Sequence, residues 1–124
     1  MATQESMVMV TLPANADLSA SKFCFVAVGA TGRVAVAGNG AFADGVLQDD
    51  PDAADKAAAV AISGIVPVRC GGVVTRGGAV ASDAAGKAKN AGAEDWVLGT
   101  ALDTGADGAV ISVLLNTRGQ NPAE

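Results

Sequence analysis

Apolar and polar positions alternate with a period of two through the middle of the chain, and glycine pairs break the alternation into short runs. In Ala59-Val60-Ala61-Ile62-Ser63-Gly64-Ile65-Val66-Pro67-Val68-Arg69-Cys70, the residues Val60, Ile62, Val66, Val68 and Cys70 share one parity, and Ser63, Pro67 and Arg69 share the other. This pattern predicts a strand with one buried face. Gly64 interrupts it, and glycine inside a strand marks a bulge or sharp bend. Gly71-Gly72, Val73-Val74, Gly77-Gly78 and Ala79-Val80-Ala81 follow, and Ser82-Asp83-Ala84-Ala85-Gly86-Lys87 carries the chemistry of a tight turn. Residues 96–102 return as a strand, 103–108 reverse the chain at Asp107-Gly108, and 110–115 close it. The stretch 88–95 reads as a polar connector, with Lys87 and Lys89 set against Glu94 and Asp95.

Upstream, Met7-Val8-Met9-Val10-Thr11-Leu12 predicts a short strand that Pro13 ends or confines to a sheet edge. Residues 22–28 are apolar on both faces, as in a central strand, and Gly29-Ala30-Thr31-Gly32 turns them into Arg33-Val34-Ala35-Val36-Ala37. Gly29 and Gly32 lack the further glycines, the lysine and the helix of a phosphate loop, so they read as a hairpin turn. Asn39-Gly40 is a second tight-turn signal. Residues 53–58 are the one helix candidate, a short alanine-rich turn capped by Asp52. Residues 116–124 lack apolar periodicity and read as a loose tail. Glycine spacing this close leaves no room for a long helix. The expected fold is therefore all-β, a small barrel or sandwich of short strands with at most one short helix. No internal repeat is strict enough to suggest a solenoid.

Composition sharpens the picture. Half of the 124 residues are hydrophobic, but alanine dominates, and the aromatic residues are Phe23, Phe25, Phe42 and Trp96 alone. Alanine buries little area, so a thin core is expected, which favours further burial between subunits. The net charge is −5, and the eight basic residues are scattered singly, a poor fit to nucleic acid. No apolar stretch approaches a membrane span, and the start lacks the basic and apolar regions of a secretory signal, so neither a membrane nor a secretory route is expected. Cys24 and Cys70 fall within predicted strands and read as buried small hydrophobes, not as a disulfide or metal pair. The sequence holds no histidine and no tyrosine. General acid–base work would fall to residues such as Asp49 and Asp50, which sit in a loop with no apolar setting to shift their pKa. Neither Ser63-Gly64 nor Ser82-Asp83 fits a nucleophile elbow. Asp44, Asp49, Asp50, Asp52 and Asp55 invite calcium, but the spacing lacks the glycine and closing glutamate of an EF-hand, and a solvated loop is expected. No catalytic, cofactor-binding or metal residue is expected, and no small-molecule substrate.

One resemblance organises these features. The strand ending Ser63-Gly64-Ile65-Val66-Pro67-Val68, the Gly71-Gly72 pair and Gly77-Gly78-Ala79-Val80-Ala81-Ser82-Asp83-Ala84-Ala85-Gly86-Lys87-Ala88 resemble the tailed-phage capsid decoration (cement) protein family. Gly45-Val46-Leu47, Val97-Leu98-Gly99-Thr100-Ala101-Leu102 and Val110-Ile111-Ser112-Val113-Leu114-Leu115 fit the same order, so the resemblance runs from about Leu18 to Leu115. Its motifs are turns and core strands. It implies a β-rich homotrimer, assembled in the host cytoplasm, that binds the major capsid protein on the outer surface of an icosahedral head and stabilises the expanded shell. The alternative reading is a small oligomeric β-barrel that binds a glycan or protein outside any capsid. Residues 18–116 form the expected domain and 117–124 a flexible tail. Residues 1–17 are either a docking arm or an edge strand. In the arm reading Met7, Val8, Met9, Val10 and Leu12 contact the capsid, and Val8, Val10 and Leu12 face it.

Overall fold

The computed structural model describes residues 5–120. They form β1 (Glu5–Pro13), β2 (Phe25–Val28), β3 (Val34–Val36), β4 (Gly45–Leu47), β5 (Ala57–Arg69), β6 (Ala79–Ser82), β7 (Ala88–Asn90), β8 (Trp96–Ala101) and β9 (Val110–Gln120). No helix occurs among the described residues, so the all-β expectation holds. The strands join one antiparallel sheet in the order β3-β2-β4-β5-β9-β8-β6-β7, and β1 pairs with β5.

The sheet is built around β5. Val60 lies between Val10 of β1 and Leu47 of β4, and Ile65 lies between Glu5 of β1 and Leu114 of β9. β1 thus runs along one edge of β5, while β4 and then β9 share the other. Both halves curl until their outer strand returns to the start. Ala14, just after β1, bridges Val34 of β3, and Cys70, just after β5, bridges Ala88 of β7.

These two curls are the same unit twice, with β5 as the last strand of the first and the opening strand of the second. Val26 pairs with Val36 as Val80 pairs with Asn90, and Phe25 with Val46 as Ala79 with Thr100. Val46 pairs with Ala61 as Thr100 with Leu114, and Val10 with Val60 as Val66 with Val113. The loops repeat too. Ala14 N–H donates to Lys56 O (2.9 Å) as Cys70 N–H does to Ala109 O (2.7 Å). Asp49 accepts from the Ala59 N–H (3.1 Å) as Asp103 does from the Ser112 N–H (3.0 Å). Sequence patterning did not reveal this duplication, because two copies with so few identical side chains leave no strict period.

The core follows the same plan. Ala14, Leu18, Val26, Val34, Leu47, Ala58 and Val60 fill the first curl. Their register equivalents Cys70, Val74, Val80, Ala88, Ala101, Ile111 and Val113 fill the second. Burying a valine or leucine of this kind is worth about 1.5–3 kcal/mol. The larger cluster also takes in Phe25, Val46 and Ala61, which lie on the outer face of the first curl and pack against the second. The junction is tight at Gly86, whose carbonyl accepts from the Phe25 N–H at 2.6 Å, and an added Cβ there would meet Val36 Cγ1 at 2.6 Å. Gly64, at φ +98°, sits at the passage of β5 from one curl to the other, where a bulge or bend was expected.

Several local expectations need correction. Residues 53–58 are not helical: 53–55 turn, Asp55 sits at φ +67°, and Ala57 already belongs to β5. Alanine's helix preference is weak beside the ladder that β1 supplies to Ala57, Ala58 and Ala59. Asp52 forms an ion pair with Lys56 at 2.6 Å instead of capping a helix. The connector 88–95 contains strand β7, although Lys89 does meet Asp95, at 3.1 Å. The central strand expected at 22–28 begins only at Phe25, because Phe23 turns the chain at φ +68°. Residues 116–120, expected to be loose, continue β9, with Gly119 opposite Val97 and Gln120 opposite Trp96. The rest of the expected tail, 121–124, lies outside the described residues.

Candidate interaction surfaces

β1 settles as a strand of the body. Seven of its residues are in register with β5, from Glu5 opposite Ile65 to Pro13 opposite Ala57, with irregularities on both sides of Val8. The strand turns its side chains two ways as a result. Met7 packs on the larger cluster, and Val10 and Leu12 pack on the smaller one. Val8 and Met9 remain 50% and 41% exposed. Of the five proposed contact residues, then, two are open to a partner. The expectation that Val10 and Leu12 point outward fails, because they help to close the first curl.

A second surface was not foreseen. On the outer face of the second curl, Ile65, Leu114, Thr100 and Ala79 line up across β5, β9, β8 and β6. Leu114 is 38% exposed and the other three are half-buried. Aligning Val26-Ala27 through Gly45-Val46 with Val80-Ala81 through Gly99-Thr100 would have exposed the equivalence of this row with Phe25, Val46 and Ala61.

Other features have local explanations. A cleft of about 40 Å³ opens where β4 and β9 part, lined by Ile62, Leu115, Phe25, Leu98, Asp44 and Thr117. Ligand sites usually measure about 300–1,000 Å³, so this space suits a water or two. Four of the five aspartates in residues 44–55 are engaged locally: Asp44 accepts from the Val28 N–H at 2.7 Å, Asp49 from the Ala59 N–H, and Asp52 and Asp55 pair with Lys56 and Arg33. Among the described residues no three of Cys, Asp and Glu converge as a metal-ligand set. Hydrogen bonds from the Gly92 and Ser112 backbone hold the Asp95 and Asp103 carboxyls below the usual carboxylate range. Trp96 rests partly buried on the larger core with its ring edge-on to Phe42, centroids 5.3 Å apart. Cys24 and Cys70 are buried free thiols, as expected, and burial pushes both pKa values up.

No protein-family model and no curated protein matches the chain. A solved structure does: the crystal structure of the head fiber gp8.5 N base in bacteriophage phi29. The match has a TM-score of 0.73 at 18% identity and covers 89% of this chain and 94% of that one. The two share a fold. Coverage that complete on both sides means that the duplicated, β5-centred body is matched as a whole and not through one curl. At this identity the likeness establishes architecture, and function must be argued from the surfaces.

Proposed function

We propose that this chain is a structural protein of a phage virion, a decoration or cement subunit that binds the outer surface of an icosahedral head. The observation that carries the reading is the fold match, over 89% of this chain, to a phage head fiber base. The narrower decoration role is what the resemblance of residues 18–115 to the decoration family implies. The surfaces suit the role. Val8 and Met9 offer an exposed apolar pair on β1, which the described residues hydrogen-bond only through β5. An extended segment of the major capsid protein can add to such an edge by backbone hydrogen bonds, with alternate side chains giving fit.

The mechanism is linkage. A subunit that binds the expanded lattice and not its precursor stabilises the expanded state by its binding free energy. A homotrimer that touches several shell subunits gains avidity without a tight single contact. The role calls for no turnover, cofactor, metal or nucleic-acid contact. The test is to mix the purified protein with undecorated expanded heads, pellet them, and image the pellet by electron microscopy. Saturable co-sedimentation with density on the outer surface is expected. A protein that ignores such heads but binds a glycan or turns over a substrate refutes the reading.

A further inference from the structure

We infer that Lys89 and Asn39 condense into an intramolecular isopeptide bond, with Asp95 relaying the protons. The inference is independent of the virion role. Three side chains from three segments meet at this place. Lys89 lies on β7 of the second unit, Asn39 in the turn between β3 and β4 of the first, and Asp95 just before β8. Lys89 Nζ donates to Asn39 Oδ1 at 2.9 Å and lies 3.1 Å from Asp95 Oδ2. The amine therefore touches both a primary amide and a carboxylate, the electrophile and the proton acceptor that an amide exchange needs.

The backbone holds the set together. Gly40 N–H donates to Ser82 O (2.8 Å), and Trp96 N–H donates to Gly40 O (3.0 Å), which ties the Asn39 turn to β6 and β8. Gly40 lets Asp95 approach, since an added Cβ would run into Asp95 Oδ1. Gly92 N–H fixes the other carboxylate oxygen at 2.8 Å. The Lys89 and Asp95 side chains are only 29% and 13% exposed, so water competes poorly for either. An amine held against its target in this way reacts as though at very high concentration. An Asn-Gly pair ordinarily loses ammonia when the glycine nitrogen attacks the asparagine amide. Here the Gly40 nitrogen is engaged with Ser82, and Lys89 is the nucleophile in reach.

The step balances without a co-reactant. One Nζ proton moves to the Asp95 carboxylate, which the Gly92 hydrogen bond keeps ionised and ready to accept. The freed lone pair attacks Asn39 Cγ, and a second Nζ proton is relayed to Nδ2. The Cγ–Nδ2 bond breaks and ammonia leaves, taking up the proton held on Asp95 to depart as ammonium. Nothing is oxidised or reduced. The product ties the first unit to the second across 50 positions of sequence, a covalent brace for a thin core.

Intact-mass spectrometry of the purified full chain tests this. The wild type should be lighter than its sequence by one ammonia, and trypsin should release a branched peptide joining residues 34–56 to 88–118. Lys89→Arg and Asn39→Ala should each keep their full sequence mass, with unchanged strand content by circular dichroism. Asp95→Asn should be recovered mostly unlinked. A wild type that keeps its full sequence mass through prolonged incubation overturns the inference. So does an ammonia loss that persists in Lys89→Arg, because that loss is a succinimide at Asn39-Gly40. An Asp95→Asn protein linked as fully as the wild type overturns the role given to Asp95.

Discussion

Gly45 and Gly99 occupy equivalent positions in the two units, and replacing either with alanine should destabilise the protein by the same route. An added Cβ at Gly45 would run into the Ala61 carbonyl oxygen and lie 2.7 Å from Val60 Cγ1. At Gly99 it would run into the Leu114 carbonyl oxygen and lie 2.8 Å from Val113 Cγ1. Neither glycine has a left-handed backbone, so the cost is steric. Overpacking a core costs about 1–3 kcal/mol, and an obstacle that is paired backbone places these sites at the upper end. Stiffening the unfolded chain returns about 0.4–1 kcal/mol. The net loss should be about 2 kcal/mol for each variant. With a urea m-value of about 1–3 kcal/mol/M, the midpoint should fall by about 1 M. Gly72→Ala is the control, since its Cβ would meet nothing within 4 Å. All three proteins should be unfolded at one concentration, because self-association shifts apparent stability. If Gly45→Ala or Gly99→Ala unfolds within about 0.5 kcal/mol of the wild type, or Gly72→Ala falls as far as they do, the account of these strand crossings is wrong.

Removing residues 1–12 takes away β1 and uncovers Ala58 and Val60, so several kcal/mol of the ~5–15 that hold a typical domain should be lost. A truncated protein with wild-type melting would show β1 to be an appendage. Acid should destabilise the fold through Asp95 and Asp103: both folded pKa values lie below the ordinary 3.8, so their stabilisation is present above that value and fades as pH falls through the folded values. Melting temperature against pH should therefore be steeper below pH 4 in the wild type than in Asp95→Asn/Asp103→Asn, and equal slopes would count against these carboxylates. Cys24 and Cys70 should react slowly with a thiol reagent in the native protein and at once in denaturant, and fast native labelling would contradict their burial.

Much of the fold was legible because β-structure writes itself locally. The alternation in β5, the glycine turns and the apolar runs of β2, β6 and β9 each mark their strand without help from the rest of the chain. What stayed hidden depended on partners distant in sequence. Residues 57 and 58 are alanines whose own preference is helical, and β1, more than forty residues earlier, makes them a strand. The same holds for 116–120, whose polar side chains say nothing of the pairing between Gln120 and Trp96. Val10 and Leu12 have the pattern of a free arm and of a core strand alike. Only the curl, closed where Ala14 meets Val34, decides between them.

The duplication was hidden for a different physical reason. A packed interior fixes the volume at a layer and not the identity of each residue in it. Leu47 and Ala58 both fill the first curl, and their equivalents in the second are Ala101 and Ile111, so large and small have changed places. Val34 likewise becomes Ala88, and Leu18 becomes Val74. These changes erase the match that a comparison of letters would find. Among the positions that persist are two core valines, Val26 with Val80 and Val60 with Val113, and two sites of backbone contact: Gly45 with Gly99, pressed against a neighbouring strand, and Asp49 with Asp103, each holding a backbone N–H of the strand beside it. The repeat is thus carried by backbone contacts together with a few core valines, and the outer faces of the two units differ. One of them, with Phe25, Val46 and Ala61, became interior to the chain, and the other, with Leu114, was left on its surface.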